Sequence, residues 1–316
     1  MEDEGVFNWL YGYAQARGPG APIYITCTGK TDGAGAQAQA VASTQAFADA
    51  AGIIYAHTPF QNVEHASGDA PSWAARWEAF LNFGYGEVAA AALGLKPIRL
   101  QTLASEPEAW NDRPLLVWVP HSHAFADRNA GCYRRIVPWL QDKYYAADKS
   151  SLPQHKGLDI AVAIHIRRGD VTAQHAARFT PNDHILRVID QICSVVIKKN
   201  LRSEIHVHSE GVIESFRDFE QMGCVLHLDE DVFATFHNLL EADIFVMAKS
   251  SFSYAAALLS AGVKVYEPFW HQPLEDWLCL GPRATLREAE FSALLDGALE
   301  NCRLRNATRR YSTGTR

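Results

Sequence analysis

The spacing of apolar and polar residues divides the chain into strands and helices that alternate along most of its length. Residues 23–28, IYITCT, alternate as a half-buried strand does, and the loop GKTDGAG follows them. The Ala-rich run AQAQAVASTQAFADAAG has strong helix propensity and stops at Gly52. A second strand, IIYA at 53–56, comes directly after, so the chain opens as a strand–helix–strand unit. Residues 58–86 lose periodicity and carry Trp73, Trp77, Phe80, Phe83 and Tyr85. EVAAAALGL then reads as helix, and LLVWV at 115–119 as a strand ending at Pro120.

Between Lys143 and Gly157 the chain becomes polar and aperiodic, which sets a boundary between domains at 1–150 and 151–316. Beyond it, DIAVAIHI is a strand with Ile160, Val162, Ile164 and Ile166 on one face and Ala161 and Ala163 on the other. Thr180 reads as the cap of a helix with Pro181 at its first position, and Ile185, Val188, Ile192 and Val195 recur at helical spacing. EIHVH (204–208), CVLHL, DIFVMA (243–248) and VKVYEP (263–268) read as strands, separated by the helices GVIESFRDFEQMG, VFATFHNLLEA and SFSYAAALLSAG. LREAEFSALLDGALENCRL is a final amphipathic helix. The fold class is therefore α/β: parallel sheets with helices on both faces, in two Rossmann-like halves whose strand ends point into a cleft.

At 316 residues, 48% of them hydrophobic, the chain can build one large or two medium cores. Its net charge of -7 argues against non-specific affinity for nucleic acid or an anionic membrane. There is no run of 18 apolar residues, and MEDEGVFNWL is acidic where a signal peptide is basic. The chain as given reads as cytoplasmic, although a Golgi-lumenal domain without its anchor has the same composition, and the sequon Asn306-Ala307-Thr308 fits either. Cys27, Cys132, Cys193, Cys224, Cys279 and Cys302 lie too far apart for a thiolate metal motif and read as reduced, mostly buried thiols.

Candidate chemistry begins where the strand from Asp159 runs out, in His165, Arg167, Arg168 and Asp170. A guanidinium offers paired N–H donors that match two phosphate oxygens and keeps its charge at any working pH, so neighbouring arginines suit a diphosphate. An exposed ion cluster is the plainer reading of the tetrad alone. Two other stretches add to it. In KSSFSYAAALL, Ser250, Ser251 and Ser253 occupy a helix start, where free N–H groups attract anions, unless Ser251 is a plain cap. In GAGAQ, Gly33 and Gly35 would let a ligand approach the backbone, although a tight turn is the commoner reason for glycines; the loop fits neither the Walker lysine pattern nor the dinucleotide fingerprint.

IHIRRGD after a strand, ADIFVMAKSSFSYAAALLS after another, and strand-G-x-G-x-Q-helix near the start together resemble the fucosyltransferase superfamily with a histidine-x-arginine-arginine-x-aspartate motif. That superfamily includes the α1,2- and α1,6-fucosyltransferases, the rhizobial chitooligosaccharide fucosyltransferases and, more distantly, the protein O-fucosyltransferases. The resemblance covers residues 159–270 and is thin before 150. It implies a GT-B fold, two Rossmann-like domains facing across a cleft, with the acceptor on the first and a nucleotide-sugar donor, usually GDP-fucose, on the second. It also implies inverting transfer to a glycan or glycoconjugate hydroxyl with neither metal nor cofactor. Arg167 and above all Arg168 would contact the diphosphate, His165 and Asp243 the guanine and ribose, and Ser250, Ser251 and Phe252 the phosphate side. Ser209 and Glu210 stand where relatives carry serine or threonine followed by aspartates, so GDP-mannose, a rhamnose nucleotide and UDP-xylose stay open as donors.

The chemistry agrees with such a site, because a departing nucleoside diphosphate gains charge that fixed cations stabilise. In some relatives the base that deprotonates the acceptor is a glutamate five residues beyond the motif aspartate, where this chain has His175; Glu64, His65 and Glu78 compete for the role. The eight tryptophans read as core before sugar platform. His121 with His123, or His206 with His208, could share a metal, but neither pair has a third ligand at recognisable spacing and no metal site is expected. Arg168-Gly169-Asp170, an adhesion tripeptide elsewhere, follows directly on a buried-type strand and is discounted. The rival class is a non-catalytic nucleotide-sugar or glycan-binding protein, against which the retained arginine pair argues.

Overall fold

The computed structural model describes residues 4–17, 21–66, 68–110, 113–152, 159–175 and 177–312, with side chains up to residue 300 except that of residue 130. The chain divides into two units, 1–151 and 152–316, each built on its own parallel sheet.

In the first unit α1 (Glu4–Ala16) precedes β1 (Ile23–Cys27), α2 (Ala34–Ala51), β2 (Ile54–His57), α3 (Ala70–Leu81), β3 (Val88–Ala89), β4 (Pro97–Arg99), α4 (Leu100–Ser105), β5 (Leu115–Val119), α5 (His123–Ala126) and α6 (Ala130–Ala146). The strands lie in the order β3-β2-β1-β5-β4. α2 is buried along almost its whole length, which its alanines permit because they let the helix lie close on β1 and β2. Gly52 ends it in the left-handed region at φ 66°.

Two expectations fail in this unit. EVAAAALGL is no α-helix: Val88 and Ala89 pair with Ala56 and His57 at the sheet edge, and Ala90–Leu93 form a single 3-10 turn. Pairing to an existing edge overrides the helix propensity of the alanines. Within 58–86, taken as irregular, lies α3, capped by the Asp69 carboxylate accepting from Ser72 N at 2.9 Å and burying Trp73, Trp77 and Leu81 at four-residue spacing.

The second unit runs β6 (Ile160–Ile166), α7 (Asn182–Lys198), β7 (Ser203–Ser209), α8 (Arg217–Gln221), β8 (Val225–Leu228), α9 (Val232–Glu241), β9 (Ile244–Val246), α10 (Ser251–Leu259), β10 (Val263–Tyr266), β11 (Leu278–Cys279) and α11 (Glu288–Ser312). Its sheet has the order β11-β10-β9-β6-β7-β8. β6 sits in the middle and is apolar on both faces, as a covered parallel strand must be. Its isoleucine face packs with Ile185, Val188 and Ile192 of α7 and with Phe291 and Leu295 of α11 in one core. Asn306 lies beyond the described side chains.

Two helix starts differ from expectation. Thr180 is not the cap of α7: its hydroxyl donates to Glu267 Oε2 at 2.8 Å, and Pro181 occupies the cap position. The cap of α10 is Ser250 rather than Ser251, its Oγ accepting from Phe252 N at 3.2 Å.

Candidate functional site

In a parallel sheet the carboxyl ends of all strands share one edge, and in the second unit that edge collects most of the charged residues singled out above. β6 ends at Ile166, and the loop that leaves it turns back at Gly169, whose φ of 66° suits glycine. Arg167 is held in a fork: Nε donates to Asp170 Oδ1 at 3.0 Å and Nη2 to Oδ2 at 2.6 Å. Its third nitrogen, Nη1, reaches Ser250 Oγ at 3.3 Å, joining the end of β6 to the first turn of α10. His165 approaches the same helix, with Nδ1 2.6 Å from Ser253 Oγ and its ring tilted over Phe252 at 5.4 Å between centroids. Burial, with the Arg167 charge second, pushes the His165 imidazole down to about 3, so it is neutral at physiological pH. The structure thus brings together His165, Arg167, Asp170, Ser250, Phe252 and, on the same turn, Ser251.

Arg168 points elsewhere. Its Nη1 donates to Arg167 O at 3.0 Å, and its Nη2 donates to Thr180 O at 2.9 Å and to Asn182 Oδ1 at 2.8 Å. The guanidinium also lies over the Phe179 ring at 4.4 Å. This arginine ties the loop after β6 to the start of α7. Glu267, just past β10, links the same region to α10: it accepts from Thr180 Oγ1 and pairs with Lys249 Nζ at 3.0 Å. Glu267 and Lys249 escape a motif reading because they meet only through the strand order.

Ser209 ends β7 beside Ile166, and its buried hydroxyl donates to Ile166 O at 2.7 Å. The exposed Glu210 carboxylate lies so close to Gly169 that a Cβ there would fall 1.9 Å from its Oε2. Asp243 requires a correction. Its Oδ2 accepts from Ala161 N at 2.8 Å at the amino ends of β6 and β9. Five residues of strand separate Ala161 from Ile166, about 16 Å, so Asp243 stands at the wrong edge of the sheet for a ligand of the arginines. His175 is exposed, and its Nδ1 accepts from Thr172 N at 3.2 Å, which commits the nitrogen that a neutral base would use. The sequence holds one Asp-x-Asp triplet, Asp229-Glu230-Asp231. Both its aspartates serve the backbone, Asp229 accepting from Gly211 N and Asp231 capping α9.

The first unit has a polar cluster of its own. Gly33 caps α2 with φ -62°, a backbone open to any residue, and Gly35 is buried within the helix. Gln37 pins this loop by donating to Asp32 O at 2.7 Å and Asn62 O at 2.6 Å. Glu64 is exposed, its N donating to Asp32 O. Glu78, by contrast, is fixed: Oε1 lies 2.7 Å from His57 Nε2 and Oε2 accepts from Phe60 N at 3.2 Å. Behind it the Tyr55 hydroxyl meets His57 Nδ1 at 3.1 Å. The His57 ring packs so tightly on Gly84 that a Cβ there would fall 2.5 Å from its Cδ2. Glu78 lines a cavity of about 660 Å³ with Phe60, Pro71, Asn82 and Tyr85. Alongside, buried Lys143 donates to Phe83 O at 2.8 Å and to Glu87, and burial lowers the lysine pKa while raising the glutamate's.

No family model matches the chain, and no curated protein matches it. Among solved structures, Arabidopsis thaliana FUT1, in a mutant form in complex with GDP, aligns at 12% identity over 86% of this chain and 75% of that one, with a TM-score of 0.37. E. coli heptosyltransferase WaaC with ADP aligns at 17% identity over 91% of this chain and 98% of that one, also at 0.37.

Proposed function

We propose that this chain is an inverting glycosyltransferase that takes a sugar from a nucleoside diphosphate, GDP-fucose foremost, and hands it to a glycan hydroxyl without a metal at the phosphates. The observation that carries the reading is the Arg167 fork, fixed by Asp170 on one side and by Ser250 at the start of α10 on the other. A cation held against a helix N-terminus stabilises the charge that gathers on the leaving diphosphate as the glycosidic bond breaks, and it does so without reorganising at that moment. Neutral His165 and the Phe252 ring offer an uncharged surface beside it, suited to a sugar or base. Arg168 keeps the loop in shape and contributes to the field from half-buried ground.

For the acceptor's proton we propose Glu78 in place of His175 or Glu64. A carboxyl group that meets His57 Nε2 and accepts from Phe60 N is held in one orientation, which is what a base needs before it needs a particular pKa.

The test is calorimetric titration with GDP, UDP and dTDP in EDTA, followed by transfer and donor-hydrolysis assays. GDP binding that falls tenfold or more in Arg167→Ala, with release of free sugar from GDP-fucose, supports the reading; retention of full affinity in that variant overturns it. Binding without hydrolysis or transfer identifies a non-catalytic receptor. Because Glu210 crowds the loop that carries the arginines, GDP-mannose, a rhamnose nucleotide and UDP-xylose belong in the donor screen. Glu78→Gln should lower kcat about a hundredfold or more while leaving GDP affinity intact.

A further inference from the structure

Beyond the arginine loop, the same sheet face carries a second constellation. The register sets His165 of β6 opposite His208 of β7, and His208 opposite His227 of β8, so three imidazoles stand in one row. His206, two residues before His208, shares their face. The His208 and His227 rings stack at 4.5 Å with 12° between planes, and His208 is fully buried. His227 Nε2 lies 2.9 Å from His206 Nδ1, and His227 Nδ1 lies 2.8 Å from Glu230 Oε1. At the other end, His206 Nε2 lies 3.3 Å from Glu204 Oε2.

We infer that this is a binding site for a divalent transition-metal cation of the zinc class, with His208, His227 and Glu230 as protein ligands. One donor atom from each lies within 4.8 Å of the others, against roughly 3.3 Å across a tetrahedral zinc site with bonds near 2.0 Å, a gap that side-chain rotation closes. Two imidazoles and a carboxylate suit zinc, whereas calcium and magnesium ask for oxygen alone and monovalent copper for sulfur. Binding displaces the hydrogen that His227 Nδ1 shares with Glu230, which leaves to solvent, and His227 Nε2 then shares its hydrogen with His206 Nδ1, an outer partner of the kind that orients a metal-bound histidine. The ion would fasten β7 to the segment between β8 and α9 and takes no part in the transfer proposed above.

The experiment strips the full-length chain with EDTA, removes the chelator, and titrates it with Zn²⁺ alone, without nucleotide, by calorimetry and thermal melting. The expected result is one saturable site per chain, a rise in Tm on loading, no such site for Mg²⁺ or Ca²⁺, and affinity lowered tenfold or more in both His227→Gln and Glu230→Gln. Glu230 is exposed, so the second variant tests the site without risk to the core. Absence of a one-to-one site, or unchanged affinity in both variants, overturns the assignment. GDP binding is measured separately, so either proposal can fail alone.

Discussion

Two adjacent arginines with the same chemistry are given different work by the residues they meet. Arg167 spends its fork on Asp170 and keeps its remaining Nη hydrogens toward α10, whereas Arg168 spends both Nη groups on the backbone and on Asn182. Arg167→Ala should therefore cost ligand affinity with little change in melting temperature. Arg168→Ala should lower Tm by several degrees, on the order of 1–2 kcal/mol for a half-exposed group that loses charged hydrogen bonds. Arg168→Lys should not restore it, because an ammonium lacks the planar fork that bridges Thr180 and Asn182. Thermal melts of the three variants check the contrast. His165 supplies a pH signature: its pKa falls from 6.5 unfolded to about 3 folded, so the unfolded chain takes up a proton that the folded one refuses. Its contribution to stability is whole above pH 6.5 and declines toward pH 3 by about 1.4 kcal/mol per unit. In urea titrations between pH 7 and 4.5, His165→Gln should lose part of the acid slope of the wild type. At this scale the strand-end arginines were legible, because an apolar run that stops at charge marks the mouth of a parallel sheet. Asp243 shows the opposite case: it opens the strand DIFVMA, and a residue that opens a parallel strand belongs to the amino edge, so periodicity contradicts the role that resemblance implies.

Elements with a strong period were readable and those held by one partner were not. β6, α7, α9 and α10 declare themselves through uninterrupted apolar spacing. β3 exists only because β2 offers it an edge, and nothing in EVAAAALGL announces that edge. The histidine row was half visible: His206 and His208 share a face in any strand reading, but the register that brings His227 beside them is a property of the sheet. The turn into β10 makes a stricter demand. Gly262 lies so close to the preceding strand start that a Cβ would fall 2.2 Å from Ala242 O and 2.8 Å from Asp243 O, both backbone atoms that cannot swing away. Val263 N donates to that same Asp243 O at 2.8 Å, so relieving the clash would break the ladder. Gly262→Ala should cost about 2–3 kcal/mol and lower the urea midpoint without changing the far-ultraviolet dichroism of the folded chain. A neutral outcome would mean that the approach of the two strands is looser than these distances describe.

For the whole molecule, two sheets with separate cores mean that one free energy of unfolding need not describe the chain. The sequence loses its hydrophobic period between Lys143 and Gly157, and the chain divides at 151/152 within that stretch, although Lys143 and Tyr144 at its start are buried on α6. Unit-specific substitutions can label the calorimetric transitions. Gly84→Ala presses on the buried His57 ring in the first unit, and Gly262→Ala presses on the backbone in the second, so each should lower the transition of its own unit. A nucleoside diphosphate at 100 times its Kd adds about 2.7 kcal/mol to whichever folded unit holds it. If Arg167 and the start of α10 are the grip, GDP should raise chiefly the transition that Gly262→Ala lowers, and Arg167→Ala should remove that rise. A GDP shift confined to the transition lowered by Gly84→Ala would move the nucleotide to the first unit, where the loop pinned by Gln37 would become the site to examine.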